Sequence, residues 1–185
     1  MAHFLADLDK VWTLFLDRDG VINRKLEADY VKSISEFDLL PGVLEALYLL
    51  DPFFVHIVVV TNQQGIGKGL MTVDGLSWIH KFLFHELENA KARIDAVYYC
   101  PHLSAIGCSC RKPAPGMAIA AKNDFPSIDF NKSIIVGDSI SDMQFGRNLG
   151  MKTVFCSSKP QISDLIDLNV SSLKQFADIL MAYQS

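Results

Sequence analysis

The chain has 185 residues, is 50% hydrophobic and carries a formal net charge of −4. This size and composition suit a single domain over residues 1–185 with a sizeable core. The acidic balance gives no support to a nucleic-acid or membrane-surface partner. No apolar stretch approaches the roughly 20 residues that span a bilayer, and no signal-peptide pattern is present. We therefore expect a cytoplasmic monomer.

Strand and helix patterns alternate along the chain. Strands are predicted over residues 11–16, 54–60, 96–99, 133–136 and 152–156. Helices are predicted over residues 43–50, 72–90, 115–123, 139–149 and 172–183. The helix over 72–90 is expected to turn Trp78, Phe82 and Leu83 inward. Such alternation predicts a three-layer, Rossmann-like α/β fold, with a parallel sheet, helices on both faces and no large cap.

Four polar motifs follow separate predicted strands. They are Asp17 with Asp19, Thr61 with Asn62, the segment around Lys112, and Asp138 with Asp142. Right-handed crossovers bring the carboxyl ends of parallel strands to one edge, which is where open α/β sheets bind ligands. We therefore predict that the four motifs form one shared site.

The segment Asp17-Arg18-Asp19-Gly20 places two carboxylates directly after a buried strand. Burying two acids this close is costly unless they share a cation or a proton. A simple turn is the alternative for so short a pattern. Asp17 is a candidate nucleophile, because carboxylates form acyl-phosphates, and Asp19 is a candidate general acid and base.

The remaining motifs offer a hydroxyl, two cations and a metal ligand. Thr61 has a hydroxyl suited to phosphate oxygens, although a cap or turn also explains this residue. Arg111 and Lys112 beside Pro113 suit anion recognition or a solvated pair. Asp138 is a candidate Mg²⁺ ligand or a helix cap. As a set, these groups suit phosphoryl transfer.

Three of the four cysteines cluster with one histidine. The cluster consists of Cys100, His102, Cys108 and Cys110. Three sulfurs and one nitrogen are the donor set of a closed, structural zinc site, and the alternative is free thiols beside a surface histidine. We predict that Zn²⁺ orders the loop leading to Arg111 and Lys112 and takes no part in the chemistry.

Other conspicuous residues receive no catalytic role. Cys156 and His56 are expected to pack in the core, while His80 and His85 lie on a helix away from the motifs. The glycine-rich run over residues 65–69 has no Ser or Thr after its lysine, so it does not match a phosphate loop.

Together the motifs resemble those of the haloacid dehalogenase (HAD) superfamily, in order across about 11–157. The matching segments are Asp17-Arg18-Asp19-Gly20-Val21-Ile22-Asn23, Thr61-Asn62-Gln63, Arg111-Lys112-Pro113, and Gly137-Asp138 with Asp142. Within the superfamily, Tyr99-Cys100-Pro101-His102 and Cys108-Ser109-Cys110 before Arg111 are most similar to the D-glycero-D-manno-heptose-1,7-bisphosphate 7-phosphatase and histidinol-phosphatase family.

This resemblance implies a Mg²⁺-dependent phosphatase that acts on a small phosphorylated sugar through a phospho-aspartate. It implies that Asp17 is the nucleophile and Asp19 the general acid and base. Mg²⁺ would be held by Asp17, the backbone carbonyl of Asp19 and Asp138. Thr61 and Lys112 would steady the phosphoryl group.

Substrate recognition is implied for Asn62, Gln63 and Arg111. Two departures from the family bear on the substrate. Ser139 stands where many of these phosphatases have a lysine, and the segment 24–30 looks long enough to line a sugar pocket. Histidinol phosphate and a polynucleotide 3′-phosphate are alternative substrates. A catalytically inactive, zinc-stabilised binding module is the alternative from another functional class.

Overall fold

The structure, a computed structural model, describes residues 3–184 and contains one parallel sheet of six strands. The strand order across the sheet is β3-β2-β1-β4-β5-β6. The strands are β1 (Thr13–Leu16), β2 (His56–Asn62), β3 (Ala96–Cys100), β4 (Ser133–Gly137), β5 (Lys152–Cys156) and β6 (Leu168–Val170). The first strand lies at the centre, pairing with β2 on one side and β4 on the other. This is the point where the strand order reverses, at which such folds open a crevice for ligands.

Helices cover both faces of the sheet, as predicted. They are α1 (Val43–Leu50), α2 (Val73–Asn89), α3 (Gly116–Asp124), α4 (Ile140–Leu149) and α5 (Leu173–Gln184). Alternate residues of each central strand point to opposite faces. In β1, Leu14 and Leu16 pack with α1, α2 and α5, whereas Phe15 packs with α3 and α4. The three-layer α/β prediction is confirmed.

The predicted elements differ from the structure mainly at their ends and at one short strand. The first strand was predicted from residue 11, but Val11 is exposed and the Trp12 N–H donates to the Asp9 carbonyl, so a turn precedes β1. The edge strand β6 was not predicted, because its three residues include the exposed Asn169 and form no apolar run. Within residues 3–184, no helix is long and apolar enough to cross a membrane.

The prediction that Trp78 faces the core was wrong. Its side chain is 59% exposed, and the ammonium of Lys81 lies 4.4 Å from its ring centroid. Leu83 is fully buried and Phe82 partly buried, as expected. The buried face of α2 is formed by Leu76, Ile79, His80, Leu83 and Leu87. This spacing follows the helical period and leaves Trp78 outside it.

The two residues expected in the core outside the motifs have different environments. Cys156 is buried at the end of β5, as predicted. His56 is only partly buried; its ring lies 4.5 Å from that of Phe125, and its Nε2 is 2.7 Å from the Ser127 hydroxyl. His56, the first residue of β2, therefore lies at the edge of the core rather than within it.

Candidate active site

A pocket of about 230 Å³ opens at the carboxyl ends of the central strands. All eight predicted catalytic, substrate-binding and magnesium-ligating residues line it: Asp17, Asp19, Thr61, Asn62, Gln63, Arg111, Lys112 and Asp138. Asp142, Lys25 and Tyr30 line the same pocket. The four motifs are therefore brought together from different parts of the chain.

Lys112 is the buried cation at the base of this pocket. Its ammonium lies 2.8 Å from Asp17 Oδ1 and 2.6 Å from Asp142 Oδ1, and it donates to the Val60 carbonyl at 2.7 Å. Burial alone would lower the pKa of Lys112, but the carboxylates of Asp142 and Asp17 raise it. Lys112 therefore remains charged and compensates two acids at once.

Asp17 is itself nearly buried, and its environment favours the neutral acid. Burial raises the pKa of Asp17 from an ordinary 3.8 to about 7; Lys112 opposes this rise, and Asp142 and Asp138 add to it. Lys112 alone therefore does not supply enough positive charge to keep this acid fully ionised at neutral pH. A further cation near Asp17 would lower its pKa and restore the nucleophilic carboxylate.

Asp19 experiences the opposite electrostatic environment two residues later. Arg18 donates from NH2 to both oxygens of Asp19, at 2.9 and 3.0 Å, and Asn23 and Gln63 each add a bond. Burial would raise the pKa of Asp19, but the charge and hydrogen bonds of Arg18 and the two amides lower it. Asp19 is therefore ionised and firmly oriented.

The predicted substrate-binding amides make their direct hydrogen bonds to the protein. Gln63 Nε2 lies 2.8 Å from both Asp19 Oδ2 and Thr61 Oγ1, and so links two motifs. Asn62 Oδ1 accepts from the Lys112 N–H at 3.0 Å, and Asn62 Nδ2 donates to the Lys112 carbonyl at 3.3 Å. Both amides hold functional side chains or their backbone in place.

Arg111 differs from these amides, because one of its nitrogen donors has no hydrogen-bond acceptor in the described structure. Its NH1 is buried and has no hydrogen-bond partner within residues 3–184. A buried guanidinium donor without an acceptor is costly. Since Arg111 lines the pocket, an anionic ligand would supply the missing acceptor.

Three carboxylates form a set suited to a divalent cation. Asp17, Asp138 and Asp142 each offer an oxygen, and these oxygens lie within 4.8 Å of one another. Asp138 Oδ1 is buried without a hydrogen-bond partner in the described chain. Mg²⁺ prefers oxygen ligands, so the donor chemistry and the unpartnered oxygen both fit this ion. Asp142 was not among the predicted magnesium ligands, whereas Asp17 and Asp138 were.

Two glycines of the motifs are required by close approach of these acids. Gly20 has φ +92°, and a Cβ there would lie 2.3 Å from Asp138 Oδ2. A Cβ at Gly137 would lie 2.3 Å from the Cβ of Asp142. The absence of side chains at both positions lets these acids converge.

The predicted zinc ligands also come together. Cys100, His102, Cys108 and Cys110 each present one ligand atom, all within 4.8 Å of one another. The histidine atom near Cys110 Sγ is Nδ1, at 3.2 Å. Because Cys100 ends β3 and the other three lie in the following loop, an ion here would fasten that loop to the sheet. Cys156 lies apart from the group, in β5.

Lys25 was not identified from the sequence, although its segment was. The 24–30 segment contributes Lys25, Leu26, Asp29 and Tyr30 to the pocket wall. The ammonium of Lys25 lies 2.6 Å from Asp138 Oδ2, and the Tyr30 hydroxyl accepts from Gln64 at 2.6 Å. No local pattern links positions 25 and 138, so only the fold shows this contact.

His80 was assigned no role, yet it contacts the site indirectly. Its Nε2 lies 3.4 Å from Arg18 NH1, and the residue is 9% exposed. The sequence carried one relevant signal: His80 shares the helical face of Leu76, Ile79 and Leu83. His85, five positions later, is exposed and pairs with Asn89.

The chain is similar in sequence to proteins of known family. Residues 109–159 match the HAD-hydrolase-like family model. The D-glycero-alpha-D-manno-heptose-1,7-bisphosphate 7-phosphatase of Mycobacterium tuberculosis is 40% identical over 170 residues, covering 90% of this chain and 90% of that protein. The D-glycero-beta-D-manno-heptose-1,7-bisphosphate 7-phosphatase of Escherichia coli K12 is 36% identical over 156 residues, covering 80% of each.

A solved structure gives the same result in three dimensions. The D,D-heptose 1,7-bisphosphate phosphatase from B. bronchiseptica, crystallised with magnesium and phosphate, matches with a TM-score of 0.83 at 30% identity. The match covers 92% of this chain and 98% of that one.

The raised pKa of Asp17 has a consequence for stability. Because its pKa rises from 3.8 unfolded to about 7 folded, the folded state retains the proton longer, and stability falls as pH rises through this window. After treatment with a chelator, Asp17→Asn is expected to melt higher than wild type at pH 8 and equally at pH 4. A gain of about 1 kcal/mol corresponds to roughly 2–4 °C.

Thermal melts at the two pH values, with the exposed Asp178→Asn as control, test this expectation. An Asp17→Asn variant that is less stable than wild type at pH 8 would contradict it. Added Mg²⁺ is expected to stabilise wild type more than Asp17→Asn, because it binds the folded state through this carboxylate.

Proposed function

The chain belongs to the HAD-like family of heptose-1,7-bisphosphate 7-phosphatases, and we propose that it hydrolyses the 7-phosphate ester of such a sugar. One observation carries the proposal most directly. Asp17 lies in the pocket with its carboxylate against Lys112 and beside the oxygens of Asp138 and Asp142. A buried carboxylate that needs a further cation is suited to attack the phosphorus of a phosphate group that binds together with Mg²⁺.

Asp17, Asp138 and the backbone carbonyl of Asp19 would hold Mg²⁺, which when bound neutralises charge on the phosphoryl oxygens. In the first step, an Asp17 oxygen forms a bond to phosphorus while the bond from phosphorus to the sugar oxygen breaks. Asp19 gives its proton to that oxygen, and the sugar leaves. In the second step, Asp19 takes a proton from water, the water oxygen bonds to phosphorus, and the Asp17–phosphorus bond breaks.

The opposite pKa shifts of the two acids fit this division of work. The lowered pKa of Asp19 leaves it ionised, which suits the base role in the second step. The acid role needs a proton, and an arriving phosphate favours protonation because like charges repel. Lys112 stays charged throughout and steadies Asp17 and the phosphoryl oxygens.

Cations at the pocket wall favour a substrate with a second phosphate. Arg111 has a buried donor to spare, and Lys25 is half exposed beside Asp138. An ammonium-bearing substrate such as histidinol phosphate would be repelled by these charges, whereas a second phosphate would be attracted. We propose that Arg111 and Lys25 bind this phosphate, while Asn62 and Gln63 position the catalytic groups.

We further propose that the cysteine and histidine set binds a structural Zn²⁺. Three thiolates and one imidazole leave no open position for a reacting water. Its effect on activity would be indirect, since the loop that it fastens continues into Arg111 and Lys112.

A substrate panel tests the reaction. We expect turnover of heptose 1,7-bisphosphate to exceed that of histidinol phosphate and of a 3′-phosphorylated oligonucleotide. Both anomers belong in the panel, because the relatives are named for different ones.

Asp17→Asn is expected to lower turnover by about 10³-fold or more, since it removes the nucleophile. Trapping with beryllofluoride and Mg²⁺ should label Asp17, and unchanged turnover in Asp17→Asn would refute the mechanism.

Lys25→Met tests recognition of the second phosphate. We expect its KM for the bisphosphate to rise about 10-fold, the loss of one charge-assisted contact, with a smaller change for a sugar monophosphate. Lys32→Met is the matched control, because Lys32 lies nearby in the sequence but pairs with Asp29 and Glu36. Equal KM changes for both substrates would argue against a phosphate contact by Lys25.

Zinc content and its removal test the structural metal. We expect one equivalent of zinc by elemental analysis of freshly purified protein. Cys108→Ser should lose the metal and melt several degrees lower, because a structural site contributes folding free energy. The affinity for Mg²⁺ should stay within about twofold, whereas Cys156→Ser should keep its zinc. Protein isolated without zinc would refute this part of the proposal.

A further inference from the structure

Arg18 lies between the two acids of its motif and is completely buried. Its NH2 group donates hydrogen bonds to both oxygens of Asp19, while its Nε is buried without a hydrogen-bond partner within the described residues. A guanidinium has five N–H donors and stays charged in proteins. Because one donor is already unmatched, the remaining acceptors carry more weight in fixing its orientation.

The NH1 group of Arg18 faces His80 on α2, at 3.4 Å from Nε2. A guanidinium cannot accept a hydrogen bond, so Nε2 must carry the lone pair and Nδ1 the proton. Burial, and then the charge of Arg18, lowers the pKa of His80 to about 4, so the ring is neutral at neutral pH. His80 can therefore act as an acceptor for the buried cation.

Two aromatic rings, those of Phe37 and Tyr99, surround the pair formed by Arg18 and His80. The guanidinium carbon of Arg18 lies 5.8 Å from the ring centroid of Phe37, within the range of a cation–π contact. The ring of Tyr99 meets that of His80 edge-on at 6.3 Å. Phe37 is buried and Tyr99 is partly buried against the same core cluster. Among these neighbours, His80 is the one that gives the NH1 group of Arg18 a hydrogen-bond acceptor.

We propose that His80 is a positioning residue for catalysis. It holds Arg18 in the orientation in which the NH2 group donates hydrogen bonds to both oxygens of Asp19. The inference rests on the proposed role of Asp19 as general acid and base. A proton donor must be aimed at the leaving oxygen, so a misdirected Asp19 slows the chemical step more than it weakens substrate binding. Asn23 and Gln63 still hold Asp19 when His80 is replaced, so the loss should be partial.

Two substitutions of His80 distinguish the effect of its hydrogen-bond acceptor from the effect of its ring shape. His80→Phe keeps the ring shape and removes the acceptor, whereas His80→Gln returns an acceptor oxygen. We expect His80→Phe to lower kcat on heptose 1,7-bisphosphate about 10-fold with KM within about twofold, a fraction of what acid–base catalysis contributes. His80→Gln should recover most of kcat. His85→Phe on the same helix should equal wild type, because His85 is exposed.

A second substrate isolates the proton-donating step. A nitrophenolate leaves readily without a proton, so the burst of phosphoenzyme formation from p-nitrophenyl phosphate should be less affected in His80→Phe than that from the sugar phosphate. Full kcat in His80→Phe, or equal impairment of His80→Phe and His80→Gln, would overturn the inference while leaving the proposed function intact. Undiminished turnover in Asp19→Asn would overturn the proposed function and this inference together.

Discussion

Compensation of buried negative charge is the physical constraint on which this molecule depends. Asp17 and Asp142 share the ammonium of Lys112, and all three are almost excluded from solvent. Charges interact strongly in such surroundings, and removing one partner of a buried pair leaves the other uncompensated. Lys112 is held at both ends, because its ammonium donates to the Val60 carbonyl and its backbone N–H donates to the side-chain oxygen of Asn62. Lys112 and the half-exposed Lys25 still leave the pKa of Asp17 raised among three neighbouring acids, so the charge balance of the pocket suits a further cation.

Neighbouring acids acquire different chemistry because their partners differ. Burial, with help from two nearby carboxylates, raises the pKa of Asp17 although Lys112 opposes the rise. The Arg18 guanidinium and two amides lower the pKa of Asp19 although burial opposes the fall. Pairs of acids whose pKa values are pushed apart are a recurring device for separating catalytic roles. Here the separation depends on Arg18, which lies between the two acids in sequence and is buried by the packing of α2.

The loop that carries the cysteines and His102 connects the edge of the sheet to the wall of the pocket. It begins at Cys100, which ends β3, and it runs through the proposed zinc ligands to Arg111 and Lys112. Gly116 at the start of α3 donates to the Ser109 carbonyl, so the far end of the loop is fastened as well. Two cations with different tasks are thereby carried on one stretch of chain, with Lys112 turned to the buried acids and Arg111 to the pocket.

Much of the site could be predicted from the sequence, because parallel strands place their carboxyl ends at one edge. Short polar motifs after apolar runs were therefore enough to place Asp17, Thr61 and Asp138 in the same pocket, and ligand types at close spacing were enough to group the cysteines with His102. Helix boundaries were predicted to within a residue or two, because capping residues and the apolar period are local signals.

Only the tertiary structure decided which distant side chains meet. Lys25 reaches Asp138 across 113 positions, and Arg18 reaches His80 across 62. The helical period of α2 already indicated a buried His80 and an exposed Trp78, but it did not indicate which distant side chain His80 would meet. The chain's local patterns thus determined what chemistry collects at the sheet edge, because they encode strand ends and residue types. Three-dimensional packing determined which groups orient and neutralise that chemistry, because contacts between distant segments have no periodic signature in sequence.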